Sequence, residues 1–533
     1  MEKKNVKIFS AIAIVTLALL VVGATYAYFQ NQYGASSNAD VSVTTYTTDV
    51  LTFETRDAIN ITADQESFAQ GKGNRTGSTF ARATLQANNK TNTATANYYM
   101  YLNIETNTFT YTNTGTPELL LQIIDKTSGN PVTSITGLDY ITVTDGKNTS
   151  ISGFDITTKK GLIALFSNKE ISASPKTVEE YTVTITLVNH SFDQNNNTGK
   201  NLSGKLIIQK EKMITSISDV AKNGDNLVTV LETLGTKGDP SLTGLYYHDA
   251  NLTNGAGDNS FRYAGAIDVV NNFVCFGSEE ENCPVDNLYG IIGVFDNRVK
   301  LIKYDYANSN LLGTDGDYKA AYSADKIYYN GIPSKEISGY MWNYNGLSDH
   351  TGNNQYGSNT WSTSLFNKTN LNTNYLNNIG SKWAKMIDTT TWKVGGNTAE
   401  IIEYVIPSIV YQNEVVKPVT TNSTDNATEY NAKIGLMYVS DFGFAADPSA
   451  WTTTLIDYRS ARNMNWMYMG LDEWTISRLA EYSNYLFSIY DSGYVNGSRA
   501  SDGQAVRPVF FLSSSVKFSS GDGSVFNPIR VKL

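Results

Sequence analysis

From residue 40 to residue 210, apolar and polar side chains alternate with a period of two, in short runs broken by turns rich in Asn, Gly and Ser. That period places one face of each run on a core and the other in water, which predicts strands at 41–47, 98–104, 119–124, 140–143, 162–166, 181–188 and 206–209. No long amphipathic helix separates successive runs, as a parallel crossover would require, so this part reads as an antiparallel β-sandwich over 28–211. The spacing turns helical at 219–222 and 226–234 before Gly235 and Gly238-Asp-Pro240 stop it. Residues 212–245 therefore read as a short helical linker to a second domain, 246–533. There the apolar runs are shorter, with strands predicted at 273–276, 289–295, 299–304, 405–410, 509–512, 516–518 and 529–533. Asp296-Asn297 and Gly521-Asp-Gly523 mark two hairpin turns. Residues 342–385, rich in Asn, Thr, Ser and Gly, carry Trp361, Leu365, Leu371, Tyr375, Leu376 and Trp383, enough apolar surface to pin a long loop and short helices. The fold class expected is mainly β, with an α+β second domain.

The first 27 residues have another pattern. Lys3, Lys4 and Lys7 precede a nearly unbroken apolar run from Ile8 to Phe29, with small residues at Ala24, Thr25 and Ala27 that suit cleavage after Ala27. An uncleaved anchor is the alternative, because such a run reaches the roughly 20 residues needed to span a bilayer. Either way membrane contact is expected only through this segment. The stretch Gly-Ala-Thr-Tyr-Ala-Tyr-Phe at 23–29 resembles the signal region of the TasA and camelysin families, which a dedicated signal peptidase processes. The resemblance extends loosely over the sandwich and implies an exported matrix protein whose N-terminal domain self-assembles by adding a strand to a neighbour. The aromatic stretch 28–33 would supply that strand; an ordinary flexible N-terminus or a first strand of its own sandwich is the competing reading. No Leu-Pro-x-Thr-Gly sorting signal closes the chain, so retention at the cell is expected from an uncleaved N-terminus or from assembly.

Charge and cysteine usage narrow the partners. Against 41 basic residues stand 51 acidic ones, a net charge of −10 that argues against nucleic acid and against electrostatic adhesion to anionic membrane. In an exported chain the two cysteines, Cys275 and Cys283, invite a disulfide closing a small acidic loop, a stabilisation of about 2 to 3 kcal/mol on loop-entropy grounds. Two reduced thiols are the alternative. Three His offer too few soft ligands for a metal centre, and the Asn-rich turn at 193–199 lacks the acidic residue that closes a calcium loop, Gly204 standing in its place. No metal and no cofactor are expected.

Catalytic constellations are sparse as well. His248 and His350 each adjoin an Asp, Asp249 and Asp349, but adjacent loop side chains diverge, and no Gly-x-Ser-x-Gly elbow accompanies them. Consecutive carboxylates at Asp472-Glu473 cannot by themselves flank a sugar ring. None of the 41 Gly stands in Walker or Rossmann spacing. The protein reads as a non-enzyme.

What remains is recognition. Between Tyr482 and Gln504 the chain is dense in Tyr, Asn, Ser, Asp and Gly, a composition that favours contact because Tyr offers rigid area and the small polar residues adapt their hydrogen bonding. Tyr482, Asn484, Tyr485, Tyr490, Tyr494, Asn496, Ser498, Arg499 and Asp502 are the candidate ligand-binding residues, for a glycan or a surface protein. The structural alternative is a Tyr-rich loop packed on its own domain. Gly-Leu-Asp-Glu-Trp at 470–474 and Gly-Gln-Ala-Val-Arg at 503–507 resemble the Gly-Asn-Val-x-Glu-Trp and Gly-Phe-Arg signatures of C-type-lectin-like and formylglycine-generating-enzyme-like domains, with Asp472 for Val and Gln504-Ala505 intruding. The resemblance implies that Trp474 and Arg507 anchor the core and that the loops before Arg507 bind ligand. It does not carry the formylglycine activity, since that chemistry uses a late cysteine pair and both cysteines here lie early. The wording at 434–441, 473–478 and 506–509 resembles a family of Gram-positive gut-bacterial surface proteins. Together these expectations describe an exported cell-surface or biofilm-matrix protein with a sandwich stalk and a lectin-like adhesive head; the alternative is a structural fibre subunit with no ligand of its own.

Overall fold

The structure is a computed structural model whose described residues are 49–88, 92–267, 269–322, 337–397, 405–418 and 428–533. The signal segment 1–27, the assembly stretch 28–33 and the strand expected at 41–47 lie outside them. The fold is mainly β. It divides into two compact units, the first ending at Met213 and the second beginning at Ile214. Among the described residues no helix is long and apolar enough to cross a membrane.

Among its described residues the first unit has ten strands: β1 Val50–Thr55, β2 Ile59–Thr62, β3 Arg75–Gln86, β4 Ala94–Asn107, β5 Leu119–Asp125, β6 Tyr140–Thr144, β7 Ser150–Asp155, β8 Gly161–Ala173, β9 Lys176–Leu187 and β10 Asn201–Gln209. They form a six-stranded sheet in the order β1-β3-β9-β5-β7-β6 and a four-stranded sheet in the order β2-β10-β4-β8, antiparallel throughout. Ile59, Ile61, Met100, Leu102, Ile104 and Leu202 of the smaller sheet share one core with Ala81, Leu119, Leu121, Ile123, Val183 and Ile185 of the larger. This is the two-layer packing that period-two alternation demands, since each strand has one apolar face to cover.

The second unit is built on a larger, mixed sheet. Its path runs Ile434–Gly435, Val509–Phe511, Arg298–Lys303, Leu288–Phe295, Phe273–Cys275, Ile529–Lys532 and Lys517–Ser520, with Ser260–Tyr263 and Leu245–His248 branching from Leu288–Phe295. The pairing of Phe273–Cys275 with Ile529–Lys532 is parallel. Asp296 and Asn297, both at positive φ, make the tight turn expected between two of these strands. The turn after Lys517–Ser520 is wider than Gly521-Asp-Gly523 foretold, because the chain pairs again only from Ile529.

Two expectations need correction. Residues 405–410 hold a helix, Pro407–Tyr411, in place of a strand; a proline in the first helical turn has its φ already set and no amide to lose. Residues 214–245 are not a linker. Asn226 caps the helix Leu227–Lys237 by accepting from the Val228 and Thr229 amides, and Leu227, Val230, Leu231 and Leu234 enter the core with Phe261, Ile291, Val294 and Leu301. Gly235 lets helix and sheet close, since a Cβ there would meet the Phe261 ring at 2.4 Å. In the Asn-rich stretch, Trp361, Leu371, Tyr375 and Trp383 also reach this core, partly through a π-helical run at Phe366–Tyr375.

Candidate functional site

A second, four-stranded sheet carries the site: Gly396–Asn397, Glu473–Leu479, Tyr485–Ile489 and Val495–Arg499, in that order. Its base is ionic. Arg507, 1% exposed, forks onto Glu473 with Nε to Oε1 at 2.7 Å and Nη2 to Oε2 at 2.9 Å, and Nη2 also donates to the Met467 carbonyl at 2.6 Å. Burial alone would lower the Arg507 pKa, and the Glu473 carboxylate more than reverses that. Beside it, the buried Trp474 indole donates to the Tyr340 carbonyl at 2.7 Å. The two residues singled out as core anchors thus sit under the strands that lead to the Tyr-rich face.

The candidate residues form two clusters. At one end, Tyr482 is 53% exposed and its ring lies 5.7 Å from that of Tyr485. Arg499 is paired opposite Tyr485, donates from Nε to the Tyr485 hydroxyl at 3.1 Å, and lays its guanidinium 4.0 Å from the centre of the Tyr356 ring. The Tyr485 hydrogen bond holds the Arg499 pKa above its ordinary value. Asp502 accepts from the Arg499 amide at 2.9 Å, fixing the turn that follows. At the other end, Tyr490 and Tyr494 stack at 4.8 Å, and Arg459 covers Tyr494 at 4.8 Å. Asn496 is exposed and its side-chain Oδ1 accepts from the Gly497 amide at 2.7 Å. Tyr485 and Tyr490 are five residues apart, so the pleat turns the Tyr490–Tyr494 cluster to the other side of the sheet, where the Tyr490 hydroxyl lies 3.3 Å from that of Ser498.

Asn484 and Ser498 do not belong to this face. Asn484 is buried and donates to the Asn353 carbonyl at 3.2 Å, while Ser498 is buried with its hydroxyl 2.8 Å from that of Ser488. The pleat turns Ser498 to the face opposite Arg499, a distinction that composition alone does not draw. Conversely, two contributors from the Asn-rich segment were missed. Tyr356 ends the short helix Gly352–Tyr356, and Asn359 donates from Nδ2 to the carbonyls of Leu479, Tyr482 and Tyr485 at 3.2, 2.6 and 3.1 Å. The shared Asn, Gly and Tyr richness of the two stretches was the available signal.

The histidines lie elsewhere in this unit. His248 is fully buried against Phe444 and Trp451, accepts from the Ala256 amide at Nδ1, and is held well below its ordinary pKa by burial and then by the Arg262 charge. Asp249 spends its carboxylate on the Asn251 and Leu252 amides of a turn. His350 is exposed, stacked on Tyr344 at 4.3 Å. Among the described residues no three His, Cys, Asp or Glu gather as metal ligands. Cys275 and Cys283 are joined in a disulfide, their Cα atoms 5.8 Å apart, at the end of a core strand. No protein-family model, no curated protein and no solved structure matches the chain.

Proposed function

We propose that the protein is an exported cell-surface or matrix protein, and that its second unit is a non-catalytic, lectin-like binding head whose ligand, a glycan or a surface protein, lies across Tyr482, Tyr485, Arg499 and Tyr356. The observation that carries this is the pairing of a largely exposed Tyr482 with an Arg499 already held between a hydroxyl and an aromatic face. Such a group loses little side-chain entropy on binding, and Tyr with Arg is the pairing enriched at recognition hot spots. A Tyr-rich loop packed purely for its own stability would bury the Tyr482 ring. The test is a screen of the full chain against glycans and surface proteins, alongside Tyr482→Ala/Arg499→Ala. A specific hit weakened at least tenfold in the double variant, with an unchanged melting temperature, is the expected result. A folded chain that retains nothing, or a hit indifferent to both substitutions, overturns the assignment.

A further inference from the structure

We infer that Lys300 and Asp441 join, after folding, in an intramolecular amide bond that staples the main sheet of the second unit to the helix Val439–Phe444. The inference does not depend on what the head binds. Lys300, on Arg298–Lys303, is 1% exposed, and Asp441, in the first turn of that helix, is 3% exposed. Lys300 Nζ lies 2.5 Å from Asp441 Oδ2, which puts it about 3 Å from Cγ, near-attack range for a nitrogen on a carbonyl carbon. The rings of Tyr438, Phe295, Phe511 and Trp392 surround the nitrogen, their centres at 4.4, 5.4, 5.6 and 5.7 Å. Such a wall keeps bulk water out. An ammonium has three N–H groups to satisfy, and among the described residues Asp441 is the one acceptor hydrogen-bonded to this one. The attraction of the rings for a cation is weaker than the cost of stripping an ammonium of its water.

Burial lowers the Lys300 pKa, and the Asp441 charge opposes that shift without reversing it, which favours the neutral amine that must attack. A proton first passes from Nζ to Oδ2. The nitrogen lone pair then forms a bond to Cγ, and the charge that develops on Oδ1 faces Arg262, whose Nη1 is 4.0 Å away. A second proton leaves nitrogen for Oδ2, the Cγ–Oδ2 bond breaks with its electron pair, and one water departs. Ammonium and carboxylate thus give amide and water, with no oxidant, reductant or co-reactant. The product carries no charge, and one N–H stands where three did. Arg262 is not orphaned, since Asp258 holds its Nη2 at 2.5 Å. The Tyr438 amide, donating to Oδ2 at 2.8 Å, fixes the carboxyl beside the strand. Glu414, the neighbouring buried carboxyl, takes no part, because it spends one oxygen on the Ser440 amide and the other on the Ser477 hydroxyl.

The experiment is mass spectrometry of the full chain, its cysteines reduced, after a day at neutral pH. Alongside goes Lys300→Met/Asp441→Asn, which keeps the packing and removes both charges. The parent should weigh one water less than its residues predict, and the variant should show no deficit. Trypsin does not cut after an acylated lysine, so the parent's digest should hold residues 299–303 joined to 434–459. Boiled in denaturant and reductant, the parent, closed across a separation of 141 residues, should also migrate faster on a gel than the variant. A parent of full mass, or a water deficit found only in another tryptic peptide, such as the one that holds Asp522-Gly523, overturns the bond. The parent's mass and digest decide this by themselves, whether or not the variant folds.

Discussion

Glu414 is 1% exposed, accepts from the Ser440 amide at 2.7 Å and from the Ser477 hydroxyl, and lies near the buried Lys300–Asp441 pair. Burial pushes its pKa from 4.5 up to about 7; the two Ser hydrogen bonds oppose the shift and the Asp441 charge adds to it. The folded value exceeds the unfolded one, so the native state binds the extra proton between those limits. Its stabilising contribution is complete below about pH 4.5 and is lost as pH rises through about 7, some 3 kcal/mol over the whole window. Glu414→Gln keeps the shape and removes the titration. Denaturant unfolding at pH 5 and pH 8 should show a gap in the parent that shrinks in the variant, with the variant the more stable at pH 8; an unchanged gap refutes this assignment. The Arg507–Glu473 fork is a different case, because each partner compensates the other. Arg507→Ala leaves a buried carboxylate and should cost about 3 to 5 kcal/mol in equilibrium unfolding, whereas a loss below 1 kcal/mol would show that the fork does not anchor the sheet.

At the scale of elements, the site depends on how the short helix Gly352–Tyr356 stops. Gly357 follows at φ 83° and ψ −164°, a region essentially closed to other residues, and a Cβ there would meet the Asn343 carbonyl at 2.6 Å and the Ala500 Cβ at 2.8 Å. Gly357→Ala should destabilise by about 1 to 3 kcal/mol and draw Tyr356 away from Arg499. Tyr356→Ala is the control: it should weaken the ligand without moving the melting temperature, and an affinity equal to the parent's in both variants would mean that the ring does not take part. Strands were legible because alternation reports a half-buried face; β4, β5, β6, β8 and β10 enclose expected runs, and β9 covers all but the last residue of another. β3 escaped notice because its inward positions include Ala81 and Ala83, too small to stand out against their polar neighbours. Within the site, Tyr482, Tyr485 and Arg499 were legible from composition. Asn359 was not, because its bond to Leu479 spans 120 residues and no local pattern encodes it.

For the whole molecule, the decisive question is where the second unit begins. Read as a linker, residues 212–245 would be dispensable, and a chain of 246–533 would suffice for binding. The structure puts Ile217, Leu227, Val228, Val230, Leu231 and Leu234 into the core of that unit, each buried to within 3% exposure. At about 1.5 to 3 kcal/mol for each fully buried aliphatic side chain, removing six forfeits roughly 9 to 18 kcal/mol, as much as the entire stability of an ordinary domain. Truncation would also bare the sheet face around Phe261, Ile291 and Leu301 to water. A helix with a continuous apolar stripe needs a partner surface, and that physical requirement outweighs the Gly and Pro residues that made the segment look like a boundary. Residues 214–533 should therefore unfold in one cooperative transition and retain whatever ligand the full chain binds. Residues 246–533 should aggregate or bind a hydrophobic dye without a sharp melt. A cooperative transition in the shorter chain, at the melting temperature of the longer one, would return the helix Leu227–Lys237 to the status of a linker.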